Sequence, residues 1–332
     1  MIAEEVGLSP IAVSYALRGS KKVSAATRER VAEAASRMGY RINNGARTMR
    51  TGRHGAFALL LSRHPHVSTL PSTLLEGIDA GVAALHNKLL ICRLPDERLT
   101  REGHIPQLLR ESATDGLLIN YTYRIPEAMM KLVREDRPPA VWINAKLPRD
   151  AVHPDDLAAG ERAAAALLRA GHRRVVYTDF AHPEDQMAGT HYSAADRQAG
   201  YEAAMRAAGL TPRVVRPATH VRTYDVAERM RALLEPDDRP TAVMSYSPND
   251  GVHALIAAAG GGVGPPALMS FSDFPVEVTG LPMAAMIVPH REVGEEAVAM
   301  LQERVEHPRR RLPSRAVAHR LDPGLGLPAP RG

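Results

Sequence analysis

The stretch GLSPIAVSYALRG, residues 7–19, predicts the fold of the amino-terminal region. Its first glycine suits a tight turn, and Ser9 followed by Pro10 is the pair favoured at the cap and first position of a helix. The glycine at its end would stop that helix. We therefore expect a turn followed by a short helix whose outer face carries Ile11 and Tyr15 rather than charge.

Two further helices are predicted around this stretch. MIAEEV, residues 1–6, precedes the turn, and another helix begins after Ser24 and ends at Gly39. Apolar residues at helical spacing predict one small core shared by the three helices. The expected core residues are Ile2, Ala3, Val6, Leu8, Val13, Ala16, Leu17, Val31, Ala34, Ala35 and Met38.

The spacing of Ala3, Gly7 and Val13 indicates a helix-turn-helix, although a plain helical hairpin could produce the same pattern. Charge favours a nucleic-acid partner, because residues 1–53 hold ten lysines and arginines against four acids while the whole chain carries a net charge of +5. General compositional bias is the alternative, since arginine outnumbers lysine 37 to five.

The rest of the chain predicts an α/β protein. From residue 56, short apolar runs such as AFALLLS (56–62) alternate with amphipathic helices such as DRQAGYEAAMRAAG (196–209), which implies parallel sheets covered on both faces, one sheet in each half. The polar segment NNGARTMRTGRHG, residues 43–55, predicts a linker with at most two helical turns.

Several classes of protein are disfavoured. The lone Cys92, the absence of a long apolar run and the acidic start lead us to expect a cytoplasmic protein with no membrane partner. GVGPPA, residues 262–267, fits a dinucleotide fingerprint only formally, because it follows a helix and contains two prolines. We expect no catalytic residue, cofactor or metal; a dinucleotide-dependent enzyme is the weakest alternative.

A family resemblance is carried by SPIAVSYALRG and VSAATRERVAEAASRMGYRINNGARTMRTG. These stretches resemble the DNA-binding head of the lactose-repressor (LacI-type) family, whose pattern runs VSxxTVSRVLNG and VSxxTRxRVxxAAxxLGYxPNxxARxLRTG. The likeness continues through VHPDD, LLRAGHRRVVY, DRQAGYEAAM, TAVMSYSPND and LMSFSDF. It implies a small all-α head on a two-lobed periplasmic-binding-protein-like body.

The resemblance also implies a function. Such a protein is a ligand-responsive transcriptional regulator, a repressor, that binds a pseudo-palindromic operator as a homodimer at the nucleoid and is released, or recruited, by a small sugar-like metabolite. A sensor of small molecules with a non-functional DNA head is the alternative, because the first helix is short compared with the family. Loss of one helix cap costs about 1 kcal/mol.

The resemblance implies roles for residues of the head. Pro10, Ile11 and Tyr15 take the positions that meet base edges, where Ile11 suits a thymine methyl group. Met49 takes the place of an apolar wedge in the minor groove. The candidate DNA-binding residues are Ser9, Pro10, Ile11, Tyr15, Arg18, Lys22, Arg47, Met49 and Arg50, with Lys21 and Arg28 as further phosphate contacts. Two departures from the family are Ala12 in place of threonine and Tyr15 in place of arginine.

The effector is expected in the cleft, because ligands of open α/β sheets lie at the carboxyl ends of strands. By resemblance, Arg197 and Asp250 would bind vicinal hydroxyls together, with a structural salt bridge as the alternative. The candidate effector-binding residues are His64, His66, Tyr121, Asn144, Tyr192, Arg197, Tyr246 and Asp250, whereas Trp142 is expected in the core.

We predict three regions. They are a helix-turn-helix head at 1–43, a hinge at 44–54, and a body at 55–332 with one lobe at 55–152 and 285–312 and the other at 153–284 and 313–326.

Overall fold

A computed structural model of the chain describes most of its residues. The described ranges are 2–17, 20–39, 52–64, 67–95, 114–122, 125–135, 138–235, 238–261, 264–276, 280–324 and 327–330. The chain divides into two compact units, Met1–His54 and Gly55–Gly332. None of the helices in the described ranges is long and apolar enough to cross a membrane.

The first unit is built from short helices. They are α1 (Ile2–Glu5), α2 (Pro10–Leu17) and α3 (Ala25–Arg37). Both predicted caps are present: the Ala12 N–H donates to Ser9 Oγ at 3.2 Å, and the Thr27 N–H donates to Ser24 Oγ at 3.1 Å. The turn after α1 contains Gly7 at φ +62°, a conformation that residues with a side chain rarely adopt.

The core of this unit draws on all three helices. Its buried members are Ile2, Val6, Val13, Ala16, Val31, Ala34 and Ala35, and Ala3, Leu8 and Leu17 pack beside them partly buried. The prediction that Met38 is a core residue is wrong. Met38 is 37 % exposed because it follows the end of α3, where the chain no longer keeps the helical spacing.

The second unit contains two six-stranded sheets, as the alternation of apolar runs and helices predicts. The strands are β1 (Ala56–Ser62), β2 (Lys88–Leu94), β3 (Gly116–Asn120), β4 (Ala140–Ile143), β5 (Ala151–Pro154), β6 (Val175–Thr178), β7 (Arg213–Val215), β8 (Ala242–Ser245), β9 (Ala267–Ser272), β10 (Ala284–Ile287), β11 (Arg315–Val317) and β12 (Arg320–Asp322). The first lobe has the order β11-β5-β4-β3-β1-β2 and the second β12-β10-β9-β8-β6-β7. Neighbouring strands are parallel except β10 and β12.

Helices cover both faces of each sheet. They are α4 (Ser72–Ala84), α5 (Glu127–Glu135), α6 (Asp156–Arg169), α7 (Tyr192–Ala207), α8 (Thr223–Leu234), α9 (Pro248–Gly260) and α10 (His290–Glu306). Strand β1 shows why a buried strand forms a continuous apolar run in the sequence. Phe57 and Leu59 pack with α4 and α10, while Ala58 and Leu60 pack with α5, so every residue of the strand is buried.

The lobe boundaries differ from the predicted ones. Strand β11 lies in the first sheet, although residues 313–326 were assigned to the second lobe, and β10 lies entirely in the second sheet, although 285–312 were assigned to the first. The chain crosses between lobes after Pro154, between Ile287 and His290, and between Val317 and Arg320. Strands of three or four residues are too short for a period-two pattern to identify their sheet.

Two glycines let α6 and α7 cross closely. A Cβ at Gly160 would collide with the backbone of Arg197, and a Cβ at Gly200 would collide with the backbone of Leu157. This close crossing brings Arg197, on α7, against Asp156, the first residue of α6.

Candidate functional site

Helix α2 presents an apolar side chain to solvent. Ile11 is 68 % exposed, and Pro10 beside it is exposed as well. Tyr15, one turn further along, is half-buried, and Lys22 Nζ lies 5.0 Å from the centre of its ring. The predicted outer face of α2 therefore combines apolar surface with the cation of Lys22 at its edge.

The other cations of the head have mixed roles. Arg28, considered as a phosphate contact, instead donates from Nη1 to the carbonyl oxygens of Ser20 and Val23 at 3.2 and 2.8 Å. Arg30 donates from Nη2 to the Val6 carbonyl at 3.0 Å, and so satisfies a carbonyl just beyond α1. The candidates Arg18, Arg47, Met49 and Arg50 lie outside the described residues.

The second unit has a cavity of about 400 Å³ between its lobes, at the carboxyl ends of the strands. The first lobe contributes Thr69, Pro71, Thr122, Asn144, Pro154 and His290 to its wall. The remainder of the wall is Asp156, His191, Ser193, Arg197, Tyr246, Ser247, Pro248, Phe271, Ser272, Asp273, Phe274 and Val288. Of the predicted effector residues, the structure thus brings Asn144, Arg197 and Tyr246 together.

Arg197 is held rigidly in this wall. Its Nε donates to Asp156 Oδ1 at 2.7 Å and its Nη1 donates to the Tyr246 carbonyl at 3.2 Å. The guanidinium carbon lies 4.3 Å from the centre of the Phe271 ring. Burial raises the pKa of Asp156, but Arg197 and the nearby His319 outweigh it, so the pKa of this carboxyl lies well below its ordinary value.

A second carboxylate in the wall is Asp273, which follows β9. Its Oδ1 accepts a hydrogen bond from His290 Nε2 at 2.9 Å. Burial raises the pKa of Asp273, but the hydrogen bond from His290 lowers it further, so Asp273 is an anion at neutral pH. His290 begins α10, which belongs to the first lobe, and the pair therefore joins the two lobes at the crossover.

His191 forms a second polar connection between the lobes. It caps α7, and its Nε2 lies 2.9 Å from the Asn144 carbonyl of the first lobe. Its Nδ1 lies 2.8 Å from Ser193 Oγ, which in turn is 2.9 Å from the Tyr246 hydroxyl. Burial lowers the pKa of His191 to about 4, so the ring is neutral near pH 7.

Other predicted effector residues lie away from the cavity. Tyr121 is fully buried in the core of the first lobe, and His64 is exposed but outside the cavity wall. Tyr192 lies behind the wall, where its hydroxyl donates to the Pro154 carbonyl at 3.2 Å. His66 lies outside the described residues.

Arg197 contacts Asp156, so the salt bridge between Arg197 and Asp250 that was the alternative does not form. Asp250 is also not among the residues of the cavity wall, where joint binding of vicinal hydroxyls would place it. Asp250 is 4 % exposed, and its Oδ2 accepts from the Phe180 N–H at 3.2 Å. Burial, with the neighbouring charge of Asp179, raises the pKa of Asp250 to about 7.

Sequence reasoning missed several residues of the wall. They are Asp156, His191, Ser193, Asp273 and His290. The sequence could have indicated the two aspartates from their positions after buried strands. Asp156 lies two residues after β5 and Asp273 directly follows β9, at the edge where the carboxyl ends of parallel strands meet. No group of residues in the described part of the chain is arranged to hold a metal ion.

Comparison with known proteins gives matches in both units. The family model described as "Bacterial regulatory proteins, lacI family" matches residues 2–43, and one described as a periplasmic binding protein-like domain matches residues 164–324.

Characterised relatives are regulators of transcription, not enzymes. The chain is 28 % identical over 316 residues to the transcriptional repressor CytR of Escherichia coli K12, which covers 92 % of this chain and 89 % of CytR. It is 29 % identical to the regulator IpsA of Corynebacterium glutamicum over 182 residues, which cover 52 % of this chain and half of IpsA.

Solved structures share the fold across the whole chain. The Lac repressor bound to ONPG aligns with a TM-score of 0.71 at 18 % identity over 96 % of each chain. The regulator CelR in complex with cellobiose aligns with a TM-score of 0.61 at 22 % identity over 97 % of each chain. The chain belongs to the LacI family of bacterial transcriptional regulators.

Proposed function

We propose that the protein is a repressor that binds a pseudo-palindromic operator as a homodimer through α2. The exposure of Ile11 at the start of a capped helix carries this proposal. A branched apolar side chain in that position suits the methyl group of thymine in the major groove. Tyr15 would add one hydroxyl contact, and Ser9 with Pro10 would fix the start of the helix against the groove.

Affinity for the DNA backbone would come from cations around this apolar face. Phosphate contacts supply affinity and register but little sequence information. We propose Lys22, whose Nζ lies beside the Tyr15 ring, for this role, and Arg18, Arg47 and Arg50 from the family pattern, with Met49 as the minor-groove wedge. A protein with this partner acts in the cytoplasm, at the nucleoid.

The cavity supports an uncharged, sugar-like effector. Its described wall has one guanidinium, Arg197, which already faces Asp156, and a second carboxylate, Asp273, so the wall offers no excess positive charge to an anion. The other polar groups there are hydroxyls, an amide and imidazoles, which exchange hydrogen bonds with hydroxyl groups. The related CelR was solved with cellobiose and a regulator from Enterococcus faecium with ribose.

Exposed apolar side chains support the homodimer. On the edge strand β2, Ile91 is 51 % exposed, and on α8 and α9 Tyr224 and Ile256 are 77 % and 55 % exposed. Edge strands and large exposed apolar residues are frequent at interfaces between protein chains. Light scattering of the purified chain would measure its mass directly, and a monomer at micromolar concentration would contradict this part of the proposal.

The effector would act by a population shift. A ligand that contacts both lobes favours the arrangement in which it binds more tightly, and the operator favours one arrangement of the paired heads. We propose that the effector releases the operator; recruitment of the protein to DNA by the effector is the opposite outcome of the same measurement.

The test combines operator binding with ligand screening. Mobility shift with the intergenic DNA beside the gene should show a specific complex that Ile11→Ala weakens. Thermal shift should detect D-ribose, cellobiose or a nucleoside, but no sugar phosphate; ligand at about a hundred times its dissociation constant adds about 2.7 kcal/mol of stability. Ligand binding with no specific DNA complex would favour a sensor with an inactive head instead.

A further inference from the structure

Four residues connect the cavity wall of the second lobe to the backbone of the first. They are Tyr246, Ser193, His191 and Asn144, here called the interlobe relay. The three contacts along it are 2.9 Å from Tyr246 to Ser193, 2.8 Å from Ser193 to His191, and 2.9 Å from His191 to Asn144. Both ends of the interlobe relay line the cavity.

The chemistry of the groups fixes the direction of every hydrogen bond. A carbonyl oxygen only accepts, so His191 Nε2 must carry the proton that it donates to Asn144. Burial lowers the pKa of His191 to about 4, and the ring is therefore neutral, with an Nδ1 that can only accept. Ser193 has one hydroxyl proton, which it donates to Nδ1, and its oxygen then accepts from the Tyr246 hydroxyl.

Asn144, which accepts the last hydrogen bond of the interlobe relay, has an unusual backbone conformation. Asn144 directly follows β4 and has φ +55°, in the left-handed region that few residues other than glycine adopt. Its N–H donates to the Val152 carbonyl at 2.8 Å, which fixes the peptide to the first sheet. A hydrogen bond to the Asn144 carbonyl therefore joins the second lobe to the frame of the first, rather than to a mobile side chain.

We propose that His191 is a positioning residue that sets the arrangement of the two lobes and links it to occupation of the cavity. A ligand that contacts the Tyr246 hydroxyl or Asn144 acts on one end of a directed chain of hydrogen bonds whose other end is in the opposite lobe. This inference rests on the proposed effector role of the cavity, but its structural part requires neither DNA nor effector.

Two substitutions separate the roles of the ring nitrogens. His191→Asn replaces the Nδ1 acceptor that caps α7 with an amide oxygen, since asparagine is a favoured cap, but its side chain is too short to reach the Asn144 carbonyl. His191→Gln places an amide N–H close to the position of Nε2 and can restore the bond between the lobes. The matched control is Lys146→Ala, which removes an exposed interlobe ion pair with Asp196 at 2.6 Å that does not involve the relay.

The primary measurement is the distance between the lobes in the full-length chain. Spin labels at Arg149→Cys and Ala218→Cys, exposed sites in the first and second lobes, would be introduced with Cys92→Ser. Labelled protein is diluted with unlabelled chain so that only distances within one protein are measured. We expect a broader, shifted distribution for His191→Asn, and the unsubstituted distribution for His191→Gln and Lys146→Ala. Circular dichroism melting identifies any variant that does not fold.

The second measurement adds the probes D-ribose and cellobiose. Loss of one neutral hydrogen bond between lobes should reduce the effect of a binding sugar on the interlobe distance equilibrium about threefold to tenfold. An unchanged distribution in His191→Asn would overturn the proposal, and so would equal broadening in Lys146→Ala. Failure of operator binding would leave these distance measurements unaffected, so the two proposals fail separately.

Discussion

Removal of the Arg197 guanidinium should destabilise the protein strongly. Arg197 and Asp156 have side chains that are 9 % and 1 % exposed, so Arg197→Met leaves a carboxylate buried without its principal partner. Breaking a buried ion pair in this way costs about 3–5 kcal/mol. That loss is a large part of the 5–15 kcal/mol that stabilises a typical domain.

The contribution of Asp156 to the pH dependence of stability should change sign in this variant. In the unsubstituted protein the pKa of Asp156 is depressed, so its contribution to stability is present above the unfolded value of about 3.9 and is lost only in strong acid. Without Arg197, burial raises the pKa of Asp156 above the unfolded value. The contribution of Asp156 to the stability of the variant should then be greatest below about pH 4 and fall as pH rises, by at most about 1.4 kcal/mol per pH unit.

Urea unfolding followed by circular dichroism between pH 4.5 and 7.5 measures both effects. The double variant Arg197→Met with Asp156→Leu is the control, because it removes both charges from the buried site. It should recover most of the lost stability and the original pH dependence. A loss below about 1 kcal/mol in Arg197→Met, or a double variant no more stable than the single one, would refute this account of the pair.

Three further predictions concern separate parts of the chain. Asp250→Asn should flatten the decline in stability as pH rises from about 4 through 7, because the raised pKa of this carboxyl makes its ionisation unfavourable in the folded protein; an unchanged pH profile from urea unfolding would contradict it. Ile11→Ala should weaken specific operator binding by about 1–3 kcal/mol, measured by mobility shift, while the melting temperature stays the same. Lys22→Ala should instead lower the salt dependence of binding, and equal effects on all DNA sequences in both variants would argue against base contact by Ile11. Gly200→Ala should cost about 1–3 kcal/mol in urea unfolding, since the new methyl group meets the backbone at the α6–α7 crossing; the exposed Ala195→Ser on the same helix should have little effect.

Local features of the fold were accessible from sequence. Ser9 and Ser24 were identified as helix caps, because a hydroxyl directly before a helical run is well placed to accept from the first free N–H groups, and both make that bond. Strand β1 was equally clear, since a strand buried on both faces must be apolar at every position. Each of these predictions depends on residues within one turn or one strand.

The effector residues were harder because their contacts join distant parts of the chain. Arg197 was identified, but its carboxylate partner is 41 residues away, and the choice of Asp156 over Asp250 follows from the crossing of α6 and α7. Tyr121, which directly follows β3, was a candidate aromatic contact for the effector, yet it is buried in the first-lobe core. Position at a strand end places a residue near the cleft but does not determine which way its side chain points.

The chemistry of the cavity therefore depends on helix packing as much as on residue type. The glycines at 160 and 200 permit the crossing that holds Arg197 on Asp156, and with its charge matched Arg197 can orient a hydroxyl group but attracts an anion only weakly. Asp273, by contrast, has a side chain that is 48 % exposed, and its partner His290 comes from the crossover between lobes. A ligand that reaches Asp273 must approach this pair, so ligand recognition and the arrangement of the lobes share the same few hydrogen bonds. Substitutions in this cavity should accordingly change ligand affinity and interlobe geometry together.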